Sequence, residues 1–219
     1  MTEAAKVIDA ERPDIVTLNE ICSDDVSMLA RTLKRAEPGG RLISEFKAVA
    51  QPRAGRHVVR CRNGEAFGVG LLVHAGAPYD GYTVAGGTYP RQDAADTEKR
   101  VWLCVHAIGH FYACTTHLAS TSVTVALSQC RYLMDTAIPA LRIHDRTDPV
   151  VLGADLNLRD SQRPNAQSCM PHGFVRTDDG GRQDVVASPP HAVSGRSINM
   201  FGTTDHPGLL VEVVNTGKS

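Results

Sequence analysis

Short apolar runs recur along this chain, and each meets a residue able to hold a metal or carry a proton. Asp14-Ile15-Val16-Thr17-Leu18-Asn19 runs into Glu20, and Phe111 to Thr116 into His117. Pro149 to Ala154 ends in Asp155-x-Asn157, Asp184 opens a run to Ala187, and Thr204-Asp205-His206 precedes Leu209 to Val214. β-Branched runs this short and this uniformly apolar read as strands covered on both faces. With helical segments set between groups of them, they predict a layered α/β fold with helices packed on sheet faces. In open sheets, ligand sites gather at strand ends, because side chains from neighbouring strands converge there.

The rest of the pattern is coarser. A helix is expected over 2–11, stopped by Pro13. A second starts with Ser23 as its cap, places Val26, Leu29, Ala30 and Leu33 on one face, and stops at Pro38-Gly39-Gly40. Residues 41–66 are poorly patterned. Phe67 to Val73 is strand-like despite two glycines. Val101 to Ala107 and Phe111 to Thr116 flank Gly109-His110, a hairpin signal. Thr124 to Ile138 reads as helix with Val125, Leu127, Leu133 and Met134 toward the core, and 156–183 as irregular apart from one short helix. No repeat, linker or charge block divides the chain, so 1–219 reads as one domain.

Composition excludes several classes. Lys plus Arg number 23 and Asp plus Glu 24, a net charge of -1, which rules out a nucleic-acid clamp working by bulk charge. Aromatic residues are 5% of the chain, too few for a base-stacking platform. No apolar stretch approaches the ~20 residues of a membrane span. Met1 to Val7 is not a signal peptide, so the chain as it stands would remain cytoplasmic unless a leader precedes it. The six cysteines include no Cys-x-x-Cys, which argues against a zinc ribbon. They are either buried thiols or up to three disulfides, the latter implying an oxidising compartment.

Taken singly, each polar residue at a strand end is ordinary. Together they form a coherent chemistry. Glu20, Asp155, Asn157 and Asp205 offer hard oxygen ligands suited to Mg²⁺ or Mn²⁺. His117 and His206 can donate to phosphate or move protons near neutral pH. Asp184 could orient one histidine, and Arg100, after the acidic loop at 93–98, could contact phosphate. The set suits metal-assisted hydrolysis of a phosphate ester.

The segments Asp14 to Glu20, Thr116-His117-Leu118, Gly153-Ala154-Asp155-Leu156-Asn157 and Thr204-Asp205-His206, in that order, resemble the endonuclease/exonuclease/phosphatase superfamily, the deoxyribonuclease-I-like group. The resemblance implies a four-layer α/β sandwich, two packed mixed sheets flanked by helices, with a divalent metal. It implies Glu20 as principal metal ligand, Asp155 and Asn157 positioning water and phosphate, and His117 stabilising charge on phosphorus. It also implies Asp184 pairing with His206, and His206 with Asp205 completing the centre. Either Asp155 or His206 takes the proton from water. The implied function is hydrolysis of phosphodiesters by a monomer acting on a phosphate-ester substrate, nucleic acid among the candidates. A phosphomonoesterase or sphingomyelinase-like phospholipase is the alternative on the same scaffold, and a non-catalytic domain the alternative from another class.

Members of that group usually open with a strand that has no counterpart here, which implies a domain short at its N-terminus, less stable and weaker for metal than one extended upstream. Cys104 and Cys114 lie on the two arms of the hairpin and resemble paired cysteines of secreted members. A three-residue loop centred on Gly109 sets them opposite each other on one face; a two-residue loop sets them on opposite faces. Two other signals fail. Thr216-Gly217-Lys218-Ser219 lacks the upstream glycine and the following helix of a phosphate loop, and Gly68-x-Gly70 lacks the third glycine of a dinucleotide loop.

Overall fold

A computed structural model describes residues 2–51, 57–78, 80–143 and 147–216. Met1 and the Gly217–Ser219 portion of the terminal motif lie outside that range. The Thr2 hydroxyl accepts from the Ala5 N–H and caps α1 (Glu3–Glu11), which Arg12 closes in a left-handed conformation before Pro13. β1 (Ile15–Cys22) leads directly into α2 (Ser23–Ala36). Ser23 is not the cap expected of it: Cys22 holds that position without a side-chain bond, and the Ser23 hydroxyl donates to Glu65. β2 (Arg41–Ala48) and β3 (Phe67–Ala75) complete an antiparallel sheet in the order β1-β3-β2.

The second sheet begins with β4 (Tyr82–Thr88), β5 (Val101–Ala107) and β6 (Phe111–His117). α3 (Val123–Tyr132) then runs through a π turn, Leu133–Ala137, into the short α4 (Ile138–Leu141). β7 (Val150–Asp155), β8 (Val175–Asp178) and β9 (Gln183–Ala187) finish a six-stranded mixed sheet in the order β4-β5-β6-β7-β9-β8. β10 (His191–Ile198) and β11 (Gly208–Asn215) form a separate hairpin.

The alternation of side chains along the strands generates the layers. In β3, Leu72 faces α1 and α2, packing with Ile8, Leu29 and Leu33. Its neighbours Leu71 and Val73 face the other way and meet Leu103, Val105 and Ala113 of the second sheet. In β7, Leu152 and Ala154 face Ala126, Leu133 and Ile138 on the far side. Helices, sheet, sheet and helices therefore stack as four layers, the architecture the resemblance implied.

The hairpin loop has three residues, 108–110. Ala107 pairs with Phe111, Gly109 takes φ +79°, and Cys104 stands opposite Cys114. These two cysteines form a disulfide, as do Cys22 with Cys61 and Cys130 with Cys169. β1 hydrogen-bonds to β3 alone; among the described residues no strand lies along its other edge.

Candidate functional site

The carboxyl ends of β1, β6 and β7 meet at one end of the sandwich, and Gly153 lets them do so. A Cβ there would lie 2.5 Å from Thr17 Oγ1, so only glycine admits the close approach of β1 to β7. With its amide oriented to satisfy both groups, Asn19 donates to the Thr116 carbonyl at 3.1 Å and accepts from the Asp155 N–H at 3.0 Å. One side chain thus ties the two sheets together beneath the site. Glu20 follows in a bulge where the β1–β3 register shifts, at φ +53°. A left-handed glutamate costs roughly 1–2 kcal/mol, a strain characteristic of functional positions.

His117 and Asp155 are register partners on parallel strands and share a face, with His117 Nε2 3.9 Å from Asp155 Oδ2. The other imidazole nitrogen, Nδ1, accepts from Arg100 Nη1 at 2.8 Å. That bond leaves the ring proton on Nε2, toward Asp155. Burial and the Arg100 charge lower the His117 pKa to about 3, so the ring is neutral at physiological pH. Glu20 Oε1 lies 3.7 Å from His117 Nδ1.

Arg100 is not disposed to grip phosphate. It is 4% exposed, and its guanidinium donates to Asp96, Glu98, His117 and Ser120. It is a buried tether for the histidine. Burial raises the Glu98 pKa to about 7 against the opposing pull of Arg100.

Asp155 is 4% exposed. Its Oδ1 accepts from the Asn157 N–H at 3.0 Å, closing a turn in which Asn157 takes φ +51°. The Asn157 amide donates to the Leu118 carbonyl at 3.1 Å, leaving its oxygen as the acceptor. Burial raises the Asp155 pKa to about 6, opposed by the Asn157 N–H and the charges of His206 and Arg182. His206 Nε2 stands 3.8 Å from Asp155 Oδ2 and 3.2 Å from Asp205 Oδ2.

Asp184 does not join them. It pairs with Ala154 across the β7–β9 ladder and so faces the helix layer, where it accepts from Arg176. The pairing with His206 implied by the resemblance is replaced by that ion pair, and burial raises the Asp184 pKa to about 7. Gln183 is the residue level with Asp155, and it donates to Asp155 Oδ2 at 3.4 Å. Parity in β9 would have identified Gln183, but its register against β7 is not encoded locally. Asp96, Glu98 and Arg182 carry no signal of their own in the sequence, since they lie in segments without apolar periodicity.

The donor set fits a hard divalent ion at Glu20. That carboxylate is half exposed and makes no hydrogen bond among the described residues. Mg²⁺ characteristically takes one or two carboxylates and completes its shell with water and substrate phosphate. Glu20, Asp155 and Asp205 do not bring carboxylate oxygens within 4.8 Å of one another as a group. The described cluster that does so, Cys22 with Asp24 and Asp25, uses a sulfur already committed to a disulfide.

No protein-family model and no curated protein matches the chain. Solved structures do. An endonuclease/exonuclease/phosphatase protein from Beutenbergia cavernae superposes with a TM-score of 0.66 at 21% identity, over 98% of this chain and 66% of that one. A mannosyl-6-phosphatase from Bacteroides thetaiotaomicron gives 0.61 at 13% identity, over 96% of this chain and 88% of that one. Truncated TDP2 from Caenorhabditis elegans gives 0.57 at 15%, over 94% and 87%. Two sheets packed face to face with helices outside them give this chain a deoxyribonuclease-I-like fold, the fold of the endonuclease/exonuclease/phosphatase proteins it superposes on.

Proposed function

We infer that the protein is a phosphoesterase dependent on Mg²⁺ or Mn²⁺ that hydrolyses phosphodiester bonds. The observation that carries this reading is the convergence of Glu20, His117, Asp155, Asn157 and His206 at one end of the sandwich, with His117 neutral and Asp155 poised near neutrality. His117 presents Nε2–H to phosphate oxygen and strengthens that bond as charge builds on the phosphoryl group. Asp155, buried beside His206, takes the proton from the attacking water, and the Asn157 backbone N–H fixes the carboxylate's turn. His206, held by Asp205, supplies a proton to the departing oxygen. Glu20 would hold the divalent ion, which would supply charge neutralisation at phosphate.

A phosphomonoesterase is the second reading, supported by the likeness to a protein called a mannosyl-6-phosphatase. A cleft of about 470 Å³ beside Asp205 and His206, lined by Ile198, Met200 and Pro207 among others, has room for a sugar-sized group. The three disulfides favour work in an oxidising compartment. The deciding experiment is a panel of plasmid DNA, bis-p-nitrophenyl phosphate, sugar phosphates and sphingomyelin, each with Mg²⁺ and with chelator. Diester turnover lost on chelation supports the reading. Turnover of monoesters alone moves it to the second, and turnover of none defeats both.

A further inference from the structure

Arg182 sits at the turn into β9, one residue before Gln183, the register partner of Asp155. Its own carbonyl accepts from the Leu156 N–H, so its backbone is fixed to the residue that follows Asp155. Its side chain is another matter. The Nε is buried and has no hydrogen-bond partner, and no carboxylate among the described residues pairs with the guanidinium. Its charge nevertheless reaches the site, since it opposes protonation of both His117 and Asp155.

A buried guanidinium donor left unpaired costs about 1–3 kcal/mol or more, and native proteins seldom tolerate it without cause. Arg100 shows how this fold treats an arginine whose task is structural: its guanidinium is enclosed by Asp96, Glu98, His117 and Ser120. Arg182 has no such enclosure among the described residues, while its backbone is tied to Leu156, next to Asp155, and its charge acts on His117 and Asp155. An anion bridging its Nε and an adjacent terminal nitrogen would satisfy the orphaned donor with the planar, two-point geometry that guanidinium offers to phosphate.

We propose that Arg182 is a substrate-binding residue that grips the non-bridging oxygens of the scissile phosphate, the task the sequence suggested for Arg100. This rests on the phosphoesterase reading, but its test does not require turnover. Inorganic phosphate is the probe, titrated against the wild type, Arg182→Gln and Arg182→Lys by calorimetry, with thermal midpoints recorded at each concentration.

The wild type is expected to bind phosphate and rise in midpoint with it. Arg182→Gln should weaken binding about tenfold or more, which is about 1.4 kcal/mol, while its midpoint without phosphate stays level or rises as the orphaned donor is removed. Arg182→Lys should recover part of the affinity, keeping charge but losing the fork, and serves alone if the glutamine variant does not fold. Where a phosphodiester is turned over, KM should rise in parallel. Equal phosphate affinity in wild type and variants, or no phosphate binding by the wild type, overturns the proposal. Hydrolysis by an Arg182→Gln variant with unchanged KM overturns it while leaving the phosphoesterase reading intact; absence of hydrolysis by the wild type defeats that reading, and phosphate binding still decides the role of Arg182.

Discussion

His117 and Asp155 are both buried, and burial drives their pKa values in opposite directions: the imidazole down to about 3, the carboxyl up to about 6. In each case the charged form is disfavoured. The histidine is therefore a neutral donor at any physiological pH, while the aspartate gains its proton-accepting form as pH rises through about 6. Hydrolysis should follow that rise, and Asp155→Asn should abolish most of it. Stability should move the other way. A carboxyl whose folded pKa lies above its unfolded one stabilises the fold fully below pH ~4, and that contribution is lost as pH rises through about 6. The thermal midpoint of wild type relative to Asp155→Asn should thus fall between pH 4 and pH 7; a flat difference would mean that Asp155 titrates normally. His117→Ala and His206→Ala should each lower kcat by roughly two or more orders of magnitude with the fold retained. Near wild-type turnover in either variant would make that histidine incidental.

At the scale of elements, the β5–β6 hairpin and β7 carry the greatest consequence. The three-residue loop sets the cysteines of the hairpin face to face on the helix side, and the same parity turns His117 toward the facing sheet. Peptide mapping under non-reducing conditions should recover Cys104 joined to Cys114, Cys22 to Cys61 and Cys130 to Cys169; free thiols at these positions in oxidised material would contradict the arrangement. β1, β3, β5, β6 and β7 were legible in the sequence because their residues are apolar on both faces. β4 and β10 were not: most of their side chains face solvent, and Gly86 and Gly87 lie close against Trp102 where side chains would otherwise mark a pattern. Asp184 looks like a site residue in the sequence because it begins an apolar run, yet only its register against β7 decides which face it occupies. Arg182 carries no signal for a related reason: nothing local distinguishes an arginine whose donors are all paired from one with a buried donor left unpaired.

At the scale of the molecule, two of the disulfides close long stretches of chain. Cys22–Cys61 closes a separation of 39 residues beside Glu20, and Cys130–Cys169 another of 39 beneath α3. Chain entropy alone makes each worth about 4 kcal/mol, against a typical net stability of about 5–15 kcal/mol. Loss of Cys22–Cys61 should lower the thermal midpoint by roughly 8–15 °C. Calorimetry of the wild type against a Cys22→Ser/Cys61→Ser variant reads this directly, and an unchanged midpoint would show that the bridge is dispensable.

The whole sandwich brings Glu20, from one sheet, against His117 and Asp155, from the other, and a divalent ion at Glu20 is the centre of the proposed chemistry. The sharpest measurement is the rate of bis-p-nitrophenyl phosphate hydrolysis as Mg²⁺ is titrated into metal-stripped wild type and Glu20→Gln side by side. Wild type should be inactive without metal and saturate as Mg²⁺ is added, and Glu20→Gln should need at least about tenfold more Mg²⁺ or fail to turn over. Full activity in stripped wild type, or superimposable titrations for the two proteins, would contradict a metal-assisted phosphoesterase centred on Glu20.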